Sequence, residues 1–519
     1  MEIKIFPSNS LLAGPADELA KVDAFFTFVN KAAEGQVRRF KKSMSFKDRQ
    51  IASSNDGILP PEWIAWKEAR LDEMKAAVTV HACIYNEDGS LSVPTGLVPR
   101  LLDFLESRGI SAKAQDERNF DLARRSLSGS PPPRLRRPQQ EALDILLSEE
   151  RGRNKGLGLV RIATGVGKTV VAEQLIKRLG HRSIFLVPSL PILKQTAKRY
   201  EAAFGKKNVK VYGGGKKDIG YITIATYQSV YKGSPDDFKD IDMVVADEVH
   251  HVSAETFFDV VMNKLRRATH RYGLTAFEER ADNSTLLIEA AVGPVVYQYD
   301  APQAIADGYL AKPTFMIFDV LATSGKWTSY KIKNKKRVPV SVQPCKQYDG
   351  DNDMIASRHW TVGNDILNDF VALATNSFVE DGKSVLILID EKEHGERLKQ
   401  RLPAAGLVFG GGKENERMLR EFNARHLKVI VGTSTIGEGA DTIPVDVLIN
   451  LQGGASRSRT LQAVGRALRN ETDENGVAQK PTCLVIDFNY PQCRILERHS
   501  KFRESVLKTM GEVHRGTIA

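Results

Sequence analysis

Cysteine is scarce in this 519-residue chain. Cys83, Cys345, Cys483 and Cys493 are scattered, and no two have the C-x-x-C spacing of a zinc site or the framework of a secreted disulfide scaffold. They read as reduced thiols. Long apolar runs are missing too: no stretch of roughly 18 apolar residues exists to span a membrane. The opening MEIKIFPSNS lacks the basic region and apolar run of a signal peptide. The expectation is a soluble, cytoplasmic protein, in the host cytoplasm if its source is viral. His250, His251 and His394 have no third ligand at metal spacing, so they are not read as a metal site. Present in quantity are basic residues: 74 Lys and Arg against 64 Asp and Glu, a net charge of +10. Such a balance suits a polyanionic partner such as nucleic acid. Hydrophobic residues make up 42% and charged residues 27%, which excludes global disorder. At about 150 residues per domain the chain holds roughly three to four.

Residues 1–125 carry none of the motifs below and read as an accessory α+β domain. A strand is expected at 81–85, a turn at 86–90 (NEDGS), a returning strand at 91–93, and a helix over 97–105 closed by Gly109. The stretch 126–134, SLSGSPPPR, has linker composition and suggests a separable module. From 135 onward the pattern changes. Val- and Ile-rich runs at 157–162, 183–187, 221–225 and 243–246 alternate with helical segments. The same alternation resumes at 384–389, 429–432, 447–451 and 483–486. Buried parallel strands with crossover helices produce this pattern. The fold class is therefore α/β, with two doubly wound parallel-sheet domains at 135–310 and 364–519. Between them, 311–363 reads as a basic connecting region of poor periodicity.

Residues 162–169, Ile-Ala-Thr-Gly-Val-Gly-Lys-Thr, follow a strand and open a helix. Thr164, Gly165, Val166 and Gly167 can wrap backbone N–H groups round phosphates, and the helix N-terminus adds a favourable dipole. Lys168 then reaches the β/γ-phosphates, and Thr169 holds Mg²⁺. The strict pattern begins with glycine, where this chain has Ile162. An ordinary glycine-rich turn is the competing reading. Residues 243–250, Met-Val-Val-Ala-Asp-Glu-Val-His, form a buried strand ending in two carboxylates. Asp247 can hold Mg²⁺ through water, and Glu248 can polarise the attacking water. A capped strand end explains one such acid, but not two following a phosphate loop. In 462–469, Gln-Ala-Val-Gly-Arg-Ala-Leu-Arg, Arg466 and Arg469 stand at i and i+3, on one face of a helix. Such arginines can supply charge to a transferring phosphate from the other α/β domain. Taken alone, two arginines on a helix are more often a solvated face.

These segments resemble superfamily-two helicases of the DEAH/DExH group, in motif order from about 136 to 490. The resemblance implies two RecA-like domains, ATP and Mg²⁺ as cofactors, and a nucleic-acid track. It makes 137–140 the adenine-reading segment, with Gln140 on the nucleotide. It makes 185–190 and 224–229 backbone-binding segments, with Pro188, Thr226 and Gln228 on nucleic acid. The tetrad at 247–250 matches the family signature. Residues 273–276, Gly-Leu-Thr-Ala, resemble the segment that couples hydrolysis to movement, although the family continues Thr-Pro where this chain has Phe277 and Glu278. Residues 432–441 and 462–469 match the last two motifs. They imply Thr433 on nucleic acid, Gly439 and Asp441 on nucleotide, and Gln462 beside the two arginines. Residues 88–98 with the following Leu-rich helix look like the N-terminal module of phage UvsW-type branch-migration helicases. The XPB-like repair helicases share a similar motor. In the UvsW type that module binds double-stranded DNA; a generic hairpin–helix packing domain is the alternative.

Two basic runs stand out. Within 36–50, Arg38, Arg39, Lys41, Lys42, Lys47 and Arg49 face only Asp48, with Phe40 and Phe46 interleaved. Within 326–337, Lys331, Lys333 and Lys335 belong to a run without acids that also holds Trp327 and Tyr330. Lysines neutralise phosphates and aromatics stack on bases, which favours DNA contact over a merely solvated face. The expected function is an ATP-dependent DNA helicase or translocase that remodels branched or duplex DNA in replication, recombination or repair. It is expected to act as a monomer, with replication or recombination proteins as further partners and no membrane. One rival is the duplex-DNA motor of a restriction or defence complex, which would need partner chains because no nuclease constellation appears. An RNA helicase is a second. A non-enzymatic scaffold is opposed by the intact nucleotide motifs.

Overall fold

The Val- and Ile-rich runs become adjacent parallel strands, because each is flanked by helices that cover both faces. The computed structural model describes residues 1–53, 59–127, 134–148, 154–249, 253–276, 285–323, 326–333, 336–344, 353–410, 412–433, 445–470, 480 and 482–518. They divide into two units, 1–161 with 168–298, and 162–167 with 299–519.

In the first unit Met243–Ala246 is the central strand, parallel to Ser183–Val187 on one side and His270–Thr275 on the other. His270–Thr275 in turn pairs in parallel with Leu157–Ile162. All strands of this group run the same way, so their carboxyl ends share one edge, where such sheets bind ligands. His270–Thr275 was not among the expected strands. Its His270 and Arg271 spoil the apolar pattern, yet every residue of it is buried. Arg271 donates to Met262 Sδ at 2.7 Å, and burial lowers its pKa to about 9.

The N-terminal sheet has the order Ile84–Tyr85, Leu91–Pro94, Asn9–Ala13, Glu2–Ile5, Lys113–Asp116. Leu19 and Val22 of helix Ala16–Phe25, and Leu101 and Leu105 of helix Val98–Ser107, share one core with Ile3, Leu12, Leu91 and Val93. That core also takes in Ala290, with Leu286 packed against it, from helix Thr285–Val292 of the first α/β domain. Gly96 lies against that helix so closely that a Cβ would stand 2.2 Å from the Glu289 carbonyl oxygen. The expected strand at 81–85 is two pieces: Thr79–His81 pairs with Thr27–Val29, and Ile84–Tyr85 with Leu91–Pro94. Two long helices, Lys31–Ser53 and Pro61–Ala76, are inserted between Thr27–Val29 and Thr79–His81. Beyond Lys113–Asp116 the chain straps onto the α/β domain. Arg118 forms a bidentate pair with Asp116 and donates to the Lys155 carbonyl at 2.7 Å. Arg125 N–H donates to the Gly180 carbonyl at 2.8 Å. Of the expected linker, 128–133 lie outside the described residues.

The second unit holds a seven-stranded parallel sheet in the order Gly406–Val408, Val429–Gly432, Val385–Leu388, Val447–Asn450, Thr482–Asn489, Lys312–Val320, Val513–Ile518. This corrects the reading of 311–363 as a connecting region. Lys312–Val320 is an interior strand with Phe315, Ile317 and Val320 buried, and Ala356 and Trp360 join the same core. Its Lys312, Thr314 and Asp319 disguise it in the sequence, because only alternate side chains face inward. The same region holds a separate antiparallel hairpin, Lys326–Lys333 with Lys336–Pro344, whose register shifts between Ser329 and Tyr330.

Candidate nucleotide site and nucleic-acid surfaces

The phosphate-loop candidate has the backbone its residues allow. Gly165 and Gly167 take φ of +93° and +104°, values that glycine adopts without a Cβ penalty. Lys168 is the first residue of helix Lys168–Leu179 and is buried, with Thr169 half-buried beside it. The unpaired N–H groups of a first helical turn favour anions.

Lys168 Nζ stands 3.2 Å from Glu248 Oε1. Asp247 follows the central strand and is buried. Its N–H donates to the Leu186 carbonyl at 2.9 Å, and its carbonyl accepts the Tyr227 hydroxyl at 2.6 Å. Its Oδ1 accepts the Glu248 N–H at 3.0 Å. Burial raises the Asp247 pKa to about 7, the neighbouring Glu248 charge adds to the rise, and Lys168 opposes it. Glu248 has φ +50°, a left-handed conformation rare for a side chain with a Cβ, at a cost of about 1–3 kcal/mol. Val249 N–H then donates to the Leu274 carbonyl at 3.3 Å, which ties the chain after the carboxylates to the strand holding residues 273–275. Tyr227 escaped sequence reasoning: nothing in spacing signals that a residue twenty positions upstream supports the Asp247 backbone.

One ammonium, one hydroxyl and two carboxylates therefore gather at a strand edge beside a helix N-terminus. A magnesium–triphosphate suits this set. Its phosphates would take the Lys168 charge now shared with Glu248, and its cation would offset the cost of ionising buried Asp247.

Other candidates fare differently. Gln140 donates along its own helix to Asp144 Oδ1 at 2.6 Å, while the neighbouring Gln139 is buried and accepts the Arg136 N–H. Thr226 is buried and caps helix Tyr227–Lys232 by accepting the Ser229 N–H, whereas Gln228 is exposed and Pro188 half-buried. Thr433 is half-buried after strand Val429–Gly432. Gln462 and buried Arg466 lie on helix Arg457–Leu468. Arg469 does not share that helix's face, because it is the C-cap, in extended backbone that bridges Leu310. Arg38, Arg39, Lys41 and Lys42 are exposed on the helix Lys31–Ser53. Lys331 stands opposite Val338 and Lys333 opposite Lys336 in the hairpin register. Gly439, Asp441, Lys335, His250, His251, Phe277, Glu278 and Cys345 lie outside the described residues. His394 Nε2 donates to Asn368 Oδ1 at 2.8 Å, and burial lowers the His394 pKa to about 3, so it is a neutral core side chain. Among the described residues no group of three or more His, Cys, Asp or Glu could hold a metal ion. No described helix is long and apolar enough to cross a membrane. Burial raises the thiol pKa of Cys83 to about 12 and of Cys483 to about 11.

Two family models match. Residues 133–280 match "Type III restriction enzyme, res subunit", and residues 367–471 match "Helicase conserved C-terminal domain". The chain is 25% identical over 379 residues to the DNA 3'-5' translocase XPB2 of Sulfurisphaera tokodaii, covering 66% of this chain and 80% of that one. It spans 52% of a similar protein of Halobacterium salinarum, described as putative DNA 3'-5' helicase Rad25, at 25% identity over 64% of this chain. A fragment of a putative HsdR subunit of a type I restriction enzyme from Vibrio vulnificus has a similar fold. Its TM-score is 0.52 at 20% identity, over 88% of this chain and 83% of that one. The T4 UvsW crystal structure aligns over 100% of both chains at 15% identity, with a TM-score of 0.41.

Proposed function

We propose that this chain, a superfamily-two helicase with an XPB-like motor, hydrolyses ATP with Mg²⁺ to remodel branched or duplex DNA. The observation that carries the reading is the Lys168–Glu248 pair beside buried Asp247 at the edge of the central strands. Lys168 and the loop through Thr164, Gly165, Val166 and Gly167 hold the phosphates. Thr169 and Asp247 hold the cation, and Glu248 orients water for attack on the γ-phosphate. Arg466 and Arg469 stabilise the charge that develops there, with Gln462 beside them. Gln140, Gly439 and Asp441 belong to the nucleotide. Pro188, Thr226, Gln228, Thr433, Lys331 and Lys333 of the basic hairpin, and Lys335 belong to the nucleic-acid track. DNA is favoured over RNA because the XPB2 relative is named a DNA translocase. The test is ATP hydrolysis measured with single-stranded DNA, duplex DNA, forked DNA and RNA as stimulants. Forked or duplex DNA is expected to stimulate most. Equal stimulation by RNA overturns the DNA assignment, and turnover surviving Lys168→Ala overturns the nucleotide site.

A further inference from the structure

The helices Lys31–Ser53 and Pro61–Ala76 form an arm rooted at the paired strands Thr27–Val29 and Thr79–His81. The arm is held together from within. Trp63 Nε1 and Lys67 Nζ both donate to Asp48, at 2.8 and 2.9 Å. Trp66 stacks on Trp63, and Phe40 tilts against it. The second helix balances much of its own charge, Arg70 with Glu73 and Lys75 with Asp72. The first helix does not. Arg39, Lys41, Lys42 and Lys47 are exposed and make no ion pair among the described residues. Arg38 has only a 3.7 Å contact with Glu34, and its side chain is 80% exposed. Arg38, Arg39 and Lys42 fall on the side of the helix away from buried Val37 and Met44. Uncompensated cations held this close repel one another and favour an anionic partner.

The root of the arm reaches the motor. Buried Asn30 accepts the Ala33 N–H through Oδ1 at 3.1 Å, and its Nδ2 donates to Glu255 Oε1 at 3.0 Å. Glu255 lies in the first turn of helix Ala254–Asp259, the helix that follows Asp247 and Glu248 in the chain. We propose that the arm grips the DNA phosphodiester backbone through Arg38, Arg39 and Lys42, and that the Asn30–Glu255 bond carries this contact to the carboxylate pair. The inference rests on the DNA-stimulated ATPase reading above. Phosphates supply the counter-charge that the first helix lacks, and binding releases their condensed counterions. Duplex and single-stranded DNA offer the same phosphodiester chemistry, and the two are separated by experiment.

Full-length protein and its Arg38→Ala, Arg39→Ala, Lys42→Ala triple variant are titrated with labelled duplex and single-stranded oligonucleotides across a salt series. The log–log salt slope is expected to shrink by about 0.9 on a duplex, or about 0.7 on a single strand, for each phosphate that is no longer neutralised. Whichever DNA shows the shallower slope is the one gripped; unchanged slopes on both overturn the grip. Glu255→Ala removes the acceptor from Asn30, and Glu255→Gln keeps an acceptor oxygen there. Glu255→Ala is expected to lower the ratio of DNA-stimulated to basal hydrolysis at least about fivefold, and Glu255→Gln to keep it. An unchanged ratio in Glu255→Ala, or the same loss in both variants, overturns the coupling. If no DNA stimulates the unaltered protein, the helicase reading itself fails. A stimulated protein whose variants behave like it sinks only the arm.

Discussion

Asp247 is a carboxyl whose burial and whose neighbour Glu248 raise its pKa to about 7. The folded site thus keeps a proton that an unfolded aspartate loses near its ordinary value of 3.8. Its effect on stability has a definite sign: folding is favoured at low pH, and that contribution is lost as pH rises from the unfolded value through about 7. A divalent cation must displace the same proton. Apparent Mg²⁺ affinity, read from ATP hydrolysis titrated with Mg²⁺ between pH 6 and 8, is therefore expected to fall about tenfold per unit below the pKa. A flat profile would remove Asp247 from the cation site. Glu248→Gln is expected to keep nucleotide binding and cut turnover by about 10²–10⁴-fold, since the base proposed to orient water is lost while Asp247 stays. Single-turnover hydrolysis beside a nucleotide-binding titration checks this; loss of binding would make Glu248 structural.

At the scale of elements, the sharpest packing constraint is Gly96 against helix Thr285–Val292. A Cβ there meets the Glu289 and Ala290 carbonyl oxygens at 2.2 and 2.5 Å, and backbone atoms cannot step aside as a side chain can. Gly96→Ala is expected to lower the melting temperature, at a cost of about 1–3 kcal/mol from overpacking. An unaltered melting curve by scanning calorimetry would mean that the two elements separate freely. Arg100, which pairs with Glu289 at 3.0 Å from the same region, adds little because its side chain is half exposed. None of this close approach is visible in the local sequence. Gly96 reads there as one more loop glycine, and its partner lies almost two hundred residues away.

For the whole molecule, the question is what residues 1–120 do when removed. The linker composition of 126–134 suggests a separable module. In the structure the N-terminal core is shared with Ala290 and Leu286, and the strap lays Arg118 on Lys155 and Phe120 edge-on to His270. Deletion is expected to uncover this apolar surface, lowering the melting temperature and promoting association. Size-exclusion chromatography with thermal melting of a chain beginning at 121 tests this. A monodisperse truncation that melts with the full chain would show that the contact contributes nothing.

The glycine loop before helix Lys168–Leu179, the carboxylate pair and about half of the strands of the two α/β sheets were legible in the sequence alone, since each depends on short-range information. Glycines at fixed offsets set a loop, and β-branched runs of four to six residues set buried strands, as at Met243–Ala246 and Val429–Gly432. The strands His270–Thr275 and Lys312–Val320 were not legible, because their polar residues are accommodated by partners far along the chain. The left-handed Glu248, the Tyr227 support beneath Asp247, the place of Arg469 beyond its helix and the Asn30–Glu255 tie were likewise decided only by tertiary structure. Local composition determines which residues can do chemistry and which segments can be strands. Burial, and with it the pKa of Asp247 and the company each polar side chain keeps, is settled only when distant segments pack together.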